Sequence, residues 1–368
     1  MSLHKTLVLH VGDHKTGSTS IQLAFAQNLV KLEGKTVFYP APIASNVLAD
    51  HCARFAEAKT AAEKEKASVP FRKLADKIRS ANSDFVLISA EALEGTPPVL
   101  LQEVVDSFFA DCVDEIKVIA YVRPHAGRIT SSFSERLKIG SPLVLEDTLE
   151  SFAKRKARNG EFIYHPRFTA WKKIFGSRFV LRPMIRSQLH QSDVLSDFIV
   201  HAFDTTDFTV RPSKNANESL GLQDLMRLKI LQQTINGPQL LRLRLGWEFA
   251  RVLSFLPTSP ETTKLRLHKS LAQSIQKRYL KDAREMDRTF FDGQPLMEKE
   301  LSKAVDSAIA QPQSTDPADY FSASEVHSLR LMSGIIASLL EEPEVNWPAF
   351  LHRKRIRDVK KERARHAS

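Results

Sequence analysis

A polar stretch near the N-terminus, residues 12–19 (GDHKTGST), combines two glycines, one lysine and three hydroxyl side chains. The apolar run 7–11 precedes it, and apolar residues at helical spacing follow from Ile21 onwards. This order predicts a buried strand, a loop and a helix. The first N–H groups of a helix have no intrahelical partner and lie at its positive end, so we expect the loop to bind an anion such as phosphate.

The spacing Gly12-x4-Gly17 followed by Ser18 and Thr19 matches half of the P-loop pattern of nucleoside-triphosphate enzymes. In that pattern the lysine comes directly after the second glycine, whereas Lys15 comes two residues before it. No predicted strand ends in an obvious metal-binding aspartate. The spacing therefore favours a phosphate site, and the position of the lysine argues against magnesium-bound ATP.

The sequence His14-Lys15-Thr16-Gly17-Ser18-Thr19 resembles the 5′-phosphosulfate loop of sulfotransferases, which use 3′-phosphoadenosine 5′-phosphosulfate (PAPS). The pattern HxGxHKTG[ST]T is most similar to that of bacterial sulfotransferase-like proteins. The resemblance covers about residues 5–220 and implies sulfuryl transfer without a metal. It also implies that Lys15 stabilises the leaving group. The backbone N–H groups that would hold the phosphosulfate are those of Thr16, Gly17, Ser18 and Thr19.

A second anchor follows the strongest apolar run of the chain, residues 115–123. Arg123 ends this run, and Ser131 lies eight residues later in a predicted helix, so that both side chains can face one crevice. A guanidinium and a hydroxyl together suit a phosphate group. The pair resembles the arginine and serine that bind the 3′-phosphate in sulfotransferases. Ser132 or Ser134 would replace Ser131 if the register were shifted.

Sulfuryl transfer also needs a base that takes the proton of the acceptor, and the sequence offers three candidates. Glu91 follows the predicted strand 84–89 and is the first choice, since some sulfotransferases use a glutamate. His51 begins a helix where similar bacterial sequences tend to carry a histidine. His14 lies inside the loop and is expected to shape the phosphate site instead. The choice between Glu91 and His51 stays open.

The sequence departs from the cytosolic small-molecule sulfotransferases in its later part. Those enzymes place an Arg-Lys-Gly triplet over the 3′-phosphate, and no such triplet is found here. The nearest substitutes are Arg211, Lys214 and Asn217, for which a lid role is a hypothesis.

Strands that alternate with helices predict an α/β fold with a parallel sheet, whose ligands bind at the carboxyl ends of the strands. We therefore expect a P-loop-type parallel β-sheet flanked by helices, with a mostly helical C-terminal extension. The predicted strands are 7–11, 35–40, 84–89, 115–123 and 178–182. The predicted division is a sulfotransferase-like α/β core over 1–210, a helical region over 211–350 and a basic tail over 351–368.

The chain has 368 residues and a net charge of +10, and much of this charge lies at its C-terminus. Residues 352–368 contain eight lysines and arginines against Asp358 and Glu362. We expect a solvated, frayed helix end, with docking of an anionic partner as the alternative. The tail lacks interleaved aromatic residues, which argues against specific nucleic-acid binding.

Two cysteines, Cys52 and Cys112, are too few for a disulfide scaffold. No apolar run is long enough to span a membrane, and the first strand leaves no room for a signal peptide. A cytoplasmic location is therefore expected.

These patterns together predict a PAPS-dependent sulfotransferase that acts on a hydroxyl or amine of an acceptor, which we expect to be a carbohydrate or small metabolite. The alternatives are a P-loop kinase or other nucleotide-binding enzyme, and a non-catalytic module that binds a nucleotide or an anion. The sequence does not identify the acceptor.

Overall fold

The structure, a computed structural model, describes residues 4–212, 220–257 and 263–367. By its internal contacts the chain divides into two compact units. The first unit comprises Met1–Arg123, Tyr164–Ser213 and Asp358–Ser368, and the second comprises Pro124–Ile163 and Lys214–Arg357. Residues 124–163, which the sequence placed in the α/β core, thus group with the C-terminal helices.

The first unit contains a five-stranded parallel sheet, which confirms the predicted α/β class. Its strands are β1 (Thr6–Val11), β3 (Val37–Phe38), β4 (Phe85–Ala90), β5 (Glu115–Val122) and β6 (Phe179–Pro183). They lie in the order β3-β4-β1-β5-β6. Every residue of β1 and β4 is buried, as expected for parallel strands covered on both faces. The chain adds strands first on one side of β1 and then on the other, so the carboxyl end of β1 is the topological switch point.

A separate two-stranded antiparallel sheet pairs β2 (Val30–Leu32) with β7 (Phe208–Val210). The helices, numbered along the chain, lie mostly within one unit each. Those of the first unit are α1 (Ser18–Ala26), α2 (Val47–Glu57), α3 (Ala61–Ser80), α4 (Pro98–Phe108), α8 (His165–Phe175) and α9 (Val194–Phe203).

The named secondary-structure elements of the second unit are all helices. Its helices are α5 (His125–Lys138), α6 (Pro142–Leu145), α7 (Leu149–Arg158), α10 (Leu222–Thr234), α11 (Gln239–Leu253), α12 (Lys269–Phe290), α13 (Leu296–Asp306) and α14 (Ala323–Leu340). The last helix, α15 (Trp347–Ala367), begins in the second unit and ends in the first.

Helix α9 packs against α1 and covers part of the sheet through Phe198, which is fully buried. Its N-cap is Asp193, whose side chain accepts the hydrogen bond from the Ser196 N–H at 2.8 Å. Ser192 has a positive φ of 56° in the preceding turn.

The basic C-terminal segment forms most of α15, which stays helical to Ala367, and many of its cations, such as Arg353 and Lys360, are exposed, as expected for a solvated helix. Other side chains of the segment contact the rest of the chain. Lys354 Nζ lies 2.5 Å from Glu248 Oε1, and Val359 is buried. Arg211, one of the three proposed lid residues, donates a hydrogen bond to the carbonyl of His366. The other two, at positions 214 and 217, lie outside the described residues.

Within the described ranges, none of the helices has the length and apolar character needed to cross a bilayer. Cys52 and Cys112 are buried free thiols.

Candidate anion-binding site at the carboxyl end of β1

Residues 12–17 form the β1–α1 loop, in which the backbone is left-handed at two positions. Lys15 has a φ of 68° and Gly17 a φ of 83°. A side chain at such a φ costs about 1–2 kcal/mol, so the lysine occupies a position that glycine would fill with less strain. At Gly17 a Cβ would also lie 2.7 Å from Val194 Cγ1. Packing of α9 against the loop therefore requires glycine there.

The loop ends where α1 begins, and this helix has no acidic residue in its first turn and no side-chain cap. The Gly17 carbonyl accepts from the N–H groups of Ser20 and Ile21, at 3.0 and 3.3 Å. Helix geometry leaves the N–H groups before them without intrahelical acceptors. A left-handed turn that leads into a helix N-terminus is a common binding surface for phosphate and sulfate.

The Thr16 hydroxyl is part of the internal bonding of the loop. Its side chain is buried and donates to the carbonyl of Asp13 at 2.5 Å. Thr16 would therefore bind an anion through its backbone N–H and not through its hydroxyl.

Glu91 is the first residue after β4 and contacts the loop directly. Ser18 Oγ donates to its Oε2 at 2.5 Å, and its Oε1 lies 3.4 Å from Nε2 of His14. A Cβ at Gly12 would lie 2.9 Å from the Cα of Glu91, so this glycine allows the close approach of the two segments. The structure thus brings the first-choice base next to the loop.

His14 connects two carboxylates. Its Nε2 faces Glu91, its Nδ1 bonds to Glu94, and its backbone N–H donates to Glu94 Oε2 at 3.0 Å. The ring is about half exposed. These contacts hold the loop against the residues that follow β4.

Arg167, on α8, is a site residue that the sequence did not indicate. It donates to Asp13 Oδ2 at 2.9 Å, and its guanidinium lies 3.7 Å from Glu94 Oε1. Asp13 is fully buried, and a buried carboxylate is costly without a cation. The two partners are 154 residues apart, so no local pattern could have joined them.

Arg123 comes directly after β5 and contacts the same loop. Its Nη1 donates to the carbonyl of Lys15 at 3.0 Å, and its own carbonyl accepts from the Tyr164 hydroxyl at 3.0 Å. Ser131, its predicted partner, lies on α5 in the second unit. The joint role of the two residues stays a prediction.

His51, the other candidate base, lies on α2, and its ring meets Phe71 of α3 edge-on at 6.2 Å between centroids. Burial lowers its pKa from the ordinary value, and the nearby Arg54 lowers it further. The contacts of the two candidate bases therefore differ, because Glu91 touches the loop whereas His51 packs between helices.

His10 lies beneath the loop on β1 and is fully buried. Its Nδ1 forms a 2.8 Å hydrogen bond with Ser89 Oγ, which also accepts from Gln22 Nε2 at 3.2 Å. Burial lowers the pKa of His10 to about 3, so the ring is neutral at ordinary pH. This histidine joins the two central strands and does not supply charge to the loop.

Comparisons of the chain with models of protein families, with curated proteins and with solved structures found no match. The geometry provides a left-handed turn before a helix N-terminus, a lysine within that turn, and two arginines, Arg123 and Arg167, that bond to the loop. It also provides a carboxylate in hydrogen-bond contact with the helix start. Such a set of groups can bind a phosphate-type leaving group and remove a proton from a nearby acceptor.

Replacement of Gly17 by alanine tests the packing of the loop. We expect a loss of about 1–3 kcal/mol in the free energy of unfolding, because the positive φ and the overlap with Val194 both oppose a Cβ. Gly34 is the matched control, since it has a φ of 68° and a Cβ added there would meet no atom within 4 Å. Chemical denaturation of the two variants measures the difference, and equal losses would show that the contact with α9 is unimportant.

Proposed function

We propose that the protein is a PAPS-dependent sulfotransferase, which transfers a sulfuryl group to a hydroxyl or amine of an acceptor. The observation that carries the proposal is the 3.0 Å hydrogen bond from Arg123 to the Lys15 carbonyl. It joins the arginine of the expected 3′-phosphate pattern to the expected 5′-phosphosulfate loop. The unusual position of the lysine, at a positive φ inside the loop, supports the same assignment.

In the proposed reaction the β1–α1 loop binds the 5′-phosphosulfate. The acceptor oxygen or nitrogen forms a bond to sulfur while the bond from sulfur to the bridging oxygen breaks. Lys15 offsets the negative charge that develops on that oxygen, which leaves as part of 3′-phosphoadenosine 5′-phosphate. Glu91 takes the proton of the acceptor, oriented by its hydrogen bond from Ser18.

Three carboxylates around the loop would repel a phosphosulfate unless they were matched by donors or cations. Asp13 bonds to Arg167, which also approaches Glu94, and Glu91 accepts from Ser18. Because each carboxylate has such a partner, the charge of Lys15 would act on the ligand with less opposition.

Nucleotide binding provides the first test. Adenosine 3′,5′-bisphosphate and ADP carry the same number of phosphate groups, so isothermal titration of both compares the 3′-phosphate with a second 5′-phosphate at similar charge. We expect the 3′,5′-bisphosphate to bind about tenfold more tightly, since a charged hydrogen bond of this kind contributes about 1.5–3 kcal/mol. Tighter binding of magnesium-bound ATP would favour a P-loop kinase.

The serine predicted from the sequence is tested in the same titration. Ser131→Ala should remove most of the preference for the 3′-phosphate. Ser134→Ala tests the shifted register and should have the smaller effect, because the hydroxyl of Ser134 donates to the Thr130 carbonyl at 3.2 Å on the same helix. Turnover of ³⁵S-labelled PAPS on a panel of carbohydrates and small metabolites then separates an enzyme from a module that only binds.

A further inference from the structure

Two arginines of the second unit lie over the indole of Trp247, and His352 lies near both of them. The guanidinium carbon of Arg244 lies 4.8 Å from the centre of this indole, and that of Arg355 lies 4.2 Å from it. Arg244 precedes Trp247 by three residues on α11, and Arg355 comes from α15. His352 lies three residues before Arg355 and so shares its face of α15.

These three side chains lack the acceptors that the neighbouring cations have. Arg244 Nε and His352 Nδ1 are buried without a hydrogen-bond partner among the described residues, and Arg355 has no hydrogen bond or ion pair there. Lys354 and Arg251, in contrast, both pair with Glu248, at 2.5 and 2.6 Å. Buried polar nitrogens without partners are rare in folded proteins, and each one requires an explanation.

The cluster concentrates positive charge. Burial, and then the charge of Arg244, lower the pKa of Arg355 to about 10. Burial also lowers the pKa of His352, with further contributions from Arg244 and Arg355. Glu135 acts on Arg355 in the opposite direction, but its Oε2 is 2.7 Å from Lys138 Nζ. The described residues therefore leave an excess of positive charge at this place.

We propose that Arg244, His352 and Arg355 form a binding site for a small tetrahedral oxyanion, a sulfate or phosphate group, beside Trp247. Guanidinium groups donate bidentately to such oxyanions, and two of them offer more donors than one carboxylate can accept. A bound dianion supplies acceptors to the unpartnered nitrogens and offsets the repulsion between the arginines. His352 and Arg355 of the basic C-terminal segment would thus form part of the proposed oxyanion site.

Titration of the full-length chain with inorganic sulfate tests the site, with sodium chloride at matched ionic strength as the reference. We expect a saturable change in tryptophan fluorescence and a rise in melting temperature. Trp247→Phe should lose most of the fluorescence change and keep the rise in melting temperature. Inorganic phosphate in a parallel titration shows which oxyanion is preferred.

Arg355→Met should weaken sulfate binding by about tenfold or more, which is a change of at least one decade in Kd. Arg353→Met is the matched control, because Arg353 is exposed on the same helix and carries the same charge. The sulfate response should also survive Lys15→Ala, which separates this site from the β1–α1 loop and from the proposed function.

Arg355→Met removes a repulsive charge together with the stacking on Trp247, so the test is the rise in melting temperature that sulfate causes, which should shrink in this variant. If it lowered the melting temperature equally with and without sulfate, Arg355 would be a packing residue only. An identical sulfate response in the parent, Arg353→Met and Arg355→Met would equally overturn the proposal.

Discussion

Lys15→Ala is expected to lower sulfuryl turnover by about 10²–10³-fold, the usual effect of removing one group that stabilises a developing oxyanion. It should also weaken binding of 3′-phosphoadenosine 5′-phosphate, because the ammonium group leaves the loop. Calorimetry measures this binding without knowledge of the acceptor, and the kcat of ³⁵S transfer measures turnover. Lys15→Arg, which keeps the charge, should retain more of both than the alanine variant.

Lys15→Gly should raise the stability of the fold although it lowers turnover and ligand binding. The left-handed φ of 68° costs a lysine free energy that glycine does not lose. Lys15→Gly is therefore expected to raise the free energy of unfolding by about 1 kcal/mol while ligand binding is lost. Unchanged nucleotide affinity in the alanine variant would contradict the assignment of the loop as the donor site.

Glu91→Gln is the second change for which we expect a large effect, a loss of about 10²–10⁴-fold in kcat. The amide oxygen of glutamine can still accept the hydrogen bond from Ser18, which is 2.5 Å long in the parent. Binding of 3′-phosphoadenosine 5′-phosphate should therefore stay close to that of the parent. A loss in kcat without a loss in binding would identify a group that acts on the acceptor proton.

His51→Asn is the matched comparison for the base. Because the His51 ring packs against Phe71, we expect this change to affect stability more than kcat. The base would be His51 if His51→Asn lowered kcat by about 10²–10⁴-fold and Glu91→Gln left kcat close to that of the parent. Single-turnover kinetics on the best acceptor of the panel distinguishes the two outcomes.

The central strands could be predicted from the sequence to within a residue or two. The run 115–123 became β5, which ends at Val122, and the run 84–89 became β4, which is shifted by one residue. Both are apolar without interruption because parallel strands are covered on both faces. Short edge strands have no such signal: only Val37–Phe38 forms from the run 35–40, and β2 was missed because its partner β7 lies far along the chain.

The candidate site could be predicted where its chemistry follows the order of the chain. The loop, Glu91 and Arg123 each follow a strand, so the parallel sheet brings them to one edge. Arg167 could not be predicted, since an arginine in a helix looks like a surface residue until its buried partner is known. The sequence likewise does not distinguish Arg355, which stacks on Trp247, from the exposed Arg353, because both are arginines in the same basic segment.

The hydrogen bond between the Tyr164 hydroxyl and the Arg123 carbonyl has a consequence for how such a protein can evolve. The chain leaves the first unit after Arg123 and returns to it at Tyr164, so both ends of the intervening segment are fixed at one place. Segments with neighbouring, fixed ends tolerate insertions and deletions with little effect on the framework. We therefore expect homologous chains to vary in length in the turns between the helices of this segment, with α5 and the anchor of the loop preserved.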